Sequence, residues 1–211
     1  SGKVLNADNS EAYRNIVNNP DALKRKTDAG DVTLSELLKE QGFDGKPRVV
    51  TSAEMDALVK NGWSESFRGV TDTKFTNQFR DGDLYAGYGV YGNGTYSAYG
   101  GEKALNTARQ YAGIEGGVAR MALNPNAKVI DFADLSKMYD DDWYDEINDK
   151  IGKATGEAKK RLQAELNLNV AMDKSGVLNG YDAIRVADQQ YYVILNRTAV
   201  AVQDVDIPGV W

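Results

Sequence analysis

The chain has 211 residues and a formal net charge of −6, from 25 basic and 31 acidic side chains, and it contains neither histidine nor cysteine. The absence of these two residue types excludes disulfides, zinc–cysteine sites and the serine–histidine and cysteine–histidine hydrolases. The acidic balance disfavours a nucleic-acid platform, because most of the surface repels phosphate.

Residues 1–62 have the pattern of short helices. The segments Thr33-Leu34-Ser35-Glu36 and Thr51-Ser52-Ala53-Glu54 both have the capping-box form, in which a threonine oxygen and a glutamate satisfy early helix N–H groups. Gly42 and Gly62 follow them as helix stops. We therefore predict an N-terminal helical lobe over residues 1–62, joined to a core over residues 63–211.

From Trp63 onward, short apolar runs alternate with glycine and aspartate, which indicates strands and turns. Helices first and strands later favour an α+β architecture. The Asp140-Asp141-Asp142 run is expected to be a solvated helix start rather than a magnesium site. The predicted strands are Ser66–Val70, Val118–Leu123, Lys128–Ile130, Ala183–Val186, Tyr191–Leu195 and Ala199–Val202, and the predicted helices are Glu102–Tyr111 and Asp140–Met172, the second broken near residues 152–156.

The first segment of chemical interest is Phe67-Arg68-Gly69. An arginine on a strand presents a planar fork that can hold phosphate oxygens in two places. The glycine beside it leaves the backbone bare. The alternative is a solvated arginine on an edge strand.

The second segment is the glycine-tyrosine run at residues 88–99. Glycine lets a ligand approach main-chain N–H groups, and tyrosine offers a flat face for a heteroaromatic ring, so the run suits a nucleotide. The alternative is an ordinary loop or edge strand. A dinucleotide-binding fingerprint is excluded, because Ser97 stands where its third glycine belongs.

The third segment is a predicted hairpin, with strands at Ala183–Val186 and Tyr191–Leu195 joined by a turn at residues 187–190. In order and spacing, the three segments together resemble the ADP-ribosyltransferase superfamily, whose members split NAD between nicotinamide and ribose. The resemblance runs from about Trp63 to Val202 and is strongest to bacterial and phage-encoded members. It implies a split β-sandwich that clasps NAD, within the α+β class.

The resemblance implies a catalytic glutamate at the start of the last hairpin strand, yet this chain has no glutamate there. Gln190 is the favoured residue at that place, because glutamine matches glutamate in size and keeps a carbonyl acceptor. Other registers place Tyr191 or Tyr192 there. A natural variant with weak transfer and a deliberate glutamate-to-glutamine substitution both fit Gln190.

The resemblance also implies roles for the remaining site residues. The catalytic set is Arg68, Ser97 and Gln190, in which Arg68 grips the phosphates of NAD and Ser97 orients the side chain at 190. Acceptor recognition falls to Asp188, which lies two positions before Gln190, and to Tyr191. The residues expected to contact NAD are Arg68, Gly69, Gly94, Tyr96, Ser97 and Tyr111, with the glycines exposing backbone and the tyrosines walling off nicotinamide.

The expected function is transfer of ADP-ribose from NAD to a macromolecular acceptor, with turnover reduced by the missing glutamate and without a metal. A protein is the first choice of acceptor and a nucleic acid the second. The alternatives are an NAD glycohydrolase and a catalytically silent NAD-binding or structural module. No apolar run approaches the roughly 20 residues that cross a bilayer, so we expect no membrane partner. We expect a soluble protein, without a signal peptide, in the cytoplasm or delivered into a target cell.

Overall fold

The computed structural model describes residues 45–82, 91, 94–170 and 172–210. The predicted capping box at Thr33–Glu36 and most of the predicted N-terminal lobe lie outside these residues. The described helices are α1 Ser52–Lys60, α2 Lys74–Asp81, α3 Glu102–Ala112, α4 Phe132–Met138, α5 Asp141–Lys153, α6 Gly156–Asn169 and α7 Met172–Leu178. The described strands are β1 Arg48–Val50, β2 Ser64–Val70, β3 Thr95–Ala98, β4 Gly117–Leu123, β5 Val129–Asp131, β6 Ala183–Val186, β7 Tyr191–Ile194, β8 Val200–Gln203 and β9 Ile207–Pro208.

The described strands form one mixed sheet in the order β1-β8-β4-β2-β3-β7-β6-β5, with β9 paired to β4. The pairs β1–β8 and β5–β6 are parallel, and the other pairs are antiparallel. All six predicted strands and both predicted helical regions are confirmed, with shifts of one or two residues at several ends. The mixture of helices and strands agrees with the expected class, while β1, β9 and α2 were not predicted.

The segment before Trp63 joins this same sheet. The predicted capping box at Thr51 is confirmed, since the Thr51 N–H donates to Glu54 Oε2 at 2.8 Å and the Glu54 N–H donates to Thr51 Oγ1 at 3.2 Å. Helix α1 then buries Met55 against Ala122 and Ala201 of the sheet. The described residues on either side of position 62 therefore share one core.

The two sheet faces are covered differently. Helix α3 packs Ala104, Ala108 and Ala112 on Phe67 and Val118, and its alanine side chains let it approach the sheet closely. We call this side the α3 face. The opposite side carries Arg68, Ser97 and Tyr192, because side chains alternate along each strand, and we call it the Arg68 face.

Helix α2 covers part of the Arg68 face. It ends at Gly82, which adopts the left-handed conformation with φ of 84°, and it packs Phe79 into the core cluster of that face. A partly buried ion pair between Arg80 and Asp206 connects the helix to the chain after β8. Thr76 Oγ1 donates to the same Asp206 carboxylate at 2.5 Å.

Helices α5 and α6 form an insertion between β5 and β6. Asp140 caps α5 by accepting from the Trp143 N–H at 3.0 Å, and Asp141 and Asp142 follow in the first turn, all three exposed. The acidic run is therefore a helix start, as predicted. In the part of the chain that the structure describes, no helix combines the length and the apolar character needed to span a membrane.

Candidate functional site

The three segments identified in the sequence lie side by side, because β2, β3 and β7 are consecutive strands of the sheet. The antiparallel register that pairs Phe67 with Ala98 places Arg68 directly opposite Ser97. Ser97 in turn is opposite Tyr192. Tyr192 is opposite Arg185, and Arg185 is opposite Asp131. We call this line of side chains across the Arg68 face the Arg68 row: Arg68, Ser97, Tyr192, Arg185 and Asp131.

Arg68 is half-buried, and its guanidinium reaches over β3. Its Nη1 donates to the backbone carbonyl oxygen of Tyr96 at 3.2 Å. This contact holds the planar group close to Ser97 rather than extended into solvent. The guanidinium carries several N–H donors in a planar fork, a geometry that can hold the oxygens of an anion.

Ser97 is buried, at 2 % exposure, and its Oγ has no hydrogen-bond partner among the described residues. Within the same ranges Ser66, two residues before Arg68 and on the same face, is also buried with an unpartnered Oγ. Buried hydroxyls in folded proteins are nearly always hydrogen-bonded. Two unpartnered hydroxyls around one arginine therefore single out this part of the face.

Tyr99 and Tyr192 form a pair of rings beside Ser97. Their centroids lie 4.8 Å apart with an interplanar angle of 37°. Tyr192 is 8 % exposed. Burial, followed by the neighbouring Tyr192, raises the pKa of the Tyr99 hydroxyl above its ordinary value. The ring pair gives the Arg68 face a flat aromatic surface next to the arginine and the serine.

Gln190 lies in the turn before β7, outside the strand that faces Ser97. Its main-chain carbonyl accepts from the Tyr99 N–H at 3.0 Å. Its φ of +54° is the only positive φ of a non-glycine residue in the described ranges. Of the three residues that sequence registers could place at the glutamate position, Tyr192 is the one directly opposite Ser97.

Asp188, in the same turn, lines a pocket of about 600 Å³ at the end of β5 and β6. Arg185 and Asp131 also line it and form a two-pronged pair, with Nε to Oδ1 at 2.5 Å and Nη2 to Oδ2 at 2.9 Å. The hydrogen bonds from Arg185 lower the pKa of the Asp131 carboxyl. Phe132 and Ala187 add apolar surface to the pocket.

Tyr96 and Tyr191 are not brought to the Arg68 row, because alternation turns both toward the α3 face. Their centroids lie 5.6 Å apart, and Tyr91 joins them at 5.8 Å from Tyr191. Burial, followed by the charges of the neighbouring tyrosines, raises the pKa of Tyr191 to about 12. Both tyrosines thus belong to an aromatic cluster of the core, completed by Phe132.

Tyr111 is not brought to the row either, since it belongs to α3, which packs on the opposite face of the sheet, and it is 71 % exposed. The two predicted contact glycines have packing reasons in the structure. A methyl group at position 69 would lie 2.1 Å from the Ala108 carbonyl oxygen, and one at position 94 would lie 2.6 Å from Val193 Cγ1. Their contact with NAD stays a prediction.

Sequence reasoning missed Tyr99, Ser66 and Arg185 as members of this region. Alternation from Ser97 would have found Tyr99, and alternation from Arg68 would have found Ser66. Arg185 could be found only from the pairing of β6 with β7. No group of three or more acidic side chains suited to a metal ion occurs among the described residues.

Comparison of the chain with protein-family models, with characterised proteins and with solved structures found no match. Function therefore has to be inferred from the chemistry of the Arg68 row and from the resemblance of its segments.

Proposed function

We propose that the Arg68 row binds NAD and that the protein is a mono-ADP-ribosyltransferase of low turnover, built on the split β-sandwich of that superfamily. One observation carries this proposal. The arginine segment, the serine segment and the strand that follows the turn at residues 187–190 are neighbours in the sheet, and Arg68 lies opposite Ser97 on one face.

Arg68 supplies the contact to the phosphates of NAD. A guanidinium fork matches two phosphate oxygens at once and keeps its charge at every physiological pH. The net charge of the protein is negative, so the two phosphate charges of NAD need such a local cation. The ring of Tyr99 follows β3, the strand next to Arg68, and packs on Tyr192. As the more exposed ring of the pair, it offers a face on which a base or nicotinamide ring can stack.

The reaction breaks the bond between nicotinamide and C1′ of the ribose. Positive charge develops on the sugar in the transition state, as in glycoside hydrolysis. A carboxylate beside Ser97 would stabilise that charge, but the residue directly opposite Ser97 is Tyr192. Loss of one preorganised electrostatic group costs roughly 10²–10³ in rate. NAD binding is therefore retained while turnover is low.

The acceptor binds at the pocket of about 600 Å³ that Asp188 lines. Three carboxylates outnumber two cations in its lining, and Phe132 and Ala187 add apolar surface. The pocket therefore favours a cationic side chain with an apolar stem. This composition supports a protein acceptor over a nucleic acid. Water reaching the same carbon gives free ADP-ribose, the NAD glycohydrolase reaction.

A second candidate is a catalytically silent NAD-binding module. The ring of Tyr192 opposite Ser97 favours it, because an aromatic ring cannot stabilise the sugar cation as a carboxylate does. The two candidates differ in one measurement, the release of nicotinamide during prolonged incubation with excess protein.

Titration calorimetry with NAD tests the proposal. The unmodified protein is expected to bind NAD, and Arg68→Ala is expected to weaken binding at least tenfold. Arg161→Ala, which removes the same charge from exposed α6, is the matched control and should leave binding unchanged. Absence of NAD binding by the unmodified protein, or equal effects of the two substitutions, would contradict the proposal.

A further inference from the structure

We infer that position 192, and not position 190, is where the chemistry of this site is decided. Tyr192 occupies the place from which a side chain meets both Ser97 and the ribose of bound NAD. The inference rests on the proposed function, and it assigns to Tyr192 the loss of turnover that the sequence attributes to Gln190.

The strand register carries the first part of the inference. Ser97 and Tyr192 are direct cross-strand partners, flanked by the pairs Tyr96–Val193 and Ala98–Tyr191. Directly opposite residues in an antiparallel pair have Cβ atoms about 4.5–5.5 Å apart. A short acidic side chain at 192 would therefore place its oxygens beside the Ser97 hydroxyl.

The unpartnered Ser97 hydroxyl carries the second part. Its Oγ is buried and makes no hydrogen bond within the part of the chain that the structure describes. A tyrosine at 192 presents carbon atoms at this depth, because its only polar atom lies at the far end of the ring. A glutamate at 192 would present acceptors there. The Ser97 hydroxyl is therefore unpartnered in the described ranges because Tyr192 supplies no acceptor beside it.

The backbone at Gln190 carries the third part. Gln190 precedes β7, is exposed, and pairs through its main chain with Tyr99 rather than with Ser97. Its left-handed φ of +54° belongs to the hairpin turn. The Ser97 hydroxyl therefore does not share a strand pair with the side chain at 190, and a carboxylate there would not complete the site.

The test compares three full-length variants by nicotinamide release from NAD. In this reaction the bonding electrons of the C1′–N bond leave with nicotinamide, water oxygen bonds to C1′, and the water proton passes to solvent. Tyr192→Glu is expected to be roughly 10²-fold faster than its size-matched control Tyr192→Gln. Gln190→Glu is expected to stay within a few-fold of the unmodified protein.

Ser97 provides an internal check. Ser97→Ala in the Tyr192→Glu background should remove most of the gain, because the serine orients the new carboxylate. A gain that survives this change, a large gain from Gln190→Glu, or a folded Tyr192→Glu protein no faster than Tyr192→Gln would each overturn the inference.

Tyr192 is 8 % exposed and part of a core cluster, so a glutamate there can prevent folding. In that event chemical rescue decides. Tyr192→Ala removes the ring opposite Ser97, and added formate can then supply a carboxylate in the space that the ring leaves. Formate is expected to raise nicotinamide release by this variant roughly tenfold or more and to give no such rise in Gln190→Ala. A rise in Gln190→Ala, or no rise in a folded Tyr192→Ala protein, would overturn the inference. Absence of NAD binding by the unmodified protein would instead overturn the proposed function.

Discussion

Gly69 and Ala108 are in backbone contact where α3 crosses β2. A methyl group at position 69 would stand 2.1 Å from the Ala108 carbonyl oxygen, far inside van der Waals distance. Gly69→Ala must therefore push α3 away from the strand that carries Arg68. We expect the free energy of unfolding to fall by about 3 kcal/mol, the upper part of the range for overpacked cores, as measured by urea denaturation.

Gly152→Ala is the matched control for this prediction. Gly152 lies within α5, and an added methyl group there meets nothing within 4 Å. Alanine is the better helix former by about 0.5–1 kcal/mol, so this variant should gain stability. Equal losses in the free energy of unfolding of the two variants would show that a clash with Ala108 does not cause the effect of Gly69→Ala.

Ser97→Ala is expected to leave the stability of the free protein unchanged or to raise it by up to about 1 kcal/mol. The reason is that the Ser97 hydroxyl is buried without a partner in residues 45–82, 91, 94–170 and 172–210, so its removal ends a desolvation cost and breaks no bond there. Thr76→Val provides the contrast, because Thr76 Oγ1 donates to Thr73 O at 2.8 Å and to Asp206 Oδ2 at 2.5 Å. It should cost about 1–3 kcal/mol. Thermal unfolding without ligand measures both, and a loss of stability in Ser97→Ala would contradict the prediction.

The strands and helices of the core could be predicted from the sequence because their signals are local. The apolar runs at Ala183–Val186 and Tyr191–Leu195 and the helix after Gly101 depend on neighbouring residues only, and the structure confirms them. Strand β1 was missed because a segment of three residues is too short to show the alternation of apolar and polar residues that predicts a strand. Its pairing with β8 joins residues about 150 positions apart, which no local pattern encodes.

The candidate site could be predicted only in part, because residue type is visible in the sequence and strand register is not. Residue type singled out Arg68 and Ser97, and the register places them opposite each other. Residue type also favoured Tyr96, yet alternation from Ser97 turns Tyr96 to the α3 face. Which residue faces Ser97 from β7 depends on the register of two strands nearly 100 residues apart. That register is set by packing, so the sequence left 190, 191 and 192 open.

Gln190→Gly is expected to stabilise the protein. Gln190 has a φ of +54°, a left-handed conformation that costs a residue with a Cβ about 1–2 kcal/mol and glycine very little. We expect a gain of about 1 kcal/mol in urea denaturation. Gln189→Gly is the control in the same turn, and it should lose up to about 1 kcal/mol because it only adds freedom to the unfolded chain. A loss in both variants would show that the side chain of Gln190 holds the turn.

Asp182 joins β5, β6 and the chain after β7 through its side chain. Its Oδ1 accepts from Asn196 Nδ2 at 2.8 Å and its Oδ2 accepts from the Lys128 N–H at 2.9 Å. Asp182→Asn replaces one of these acceptors with an N–H₂ donor. We expect a loss of about 1–3 kcal/mol at neutral pH. Asp204→Asn, at an exposed carboxyl, should change stability by less than about 0.5 kcal/mol.

The pH dependence of Asp182 has a definite sign. Burial, partly offset by the two hydrogen bonds, raises the pKa of this carboxyl above its ordinary value of 3.8. The folded protein therefore holds the proton more tightly than the unfolded chain does, and protonation favours folding. The free energy of unfolding of the unmodified protein, relative to Asp182→Asn, should be highest below the ordinary pKa. It should fall as the pH rises through the raised value, and then level off. Urea denaturation of both proteins across the acidic range measures this difference, and a difference that grows with rising pH would contradict the raised pKa.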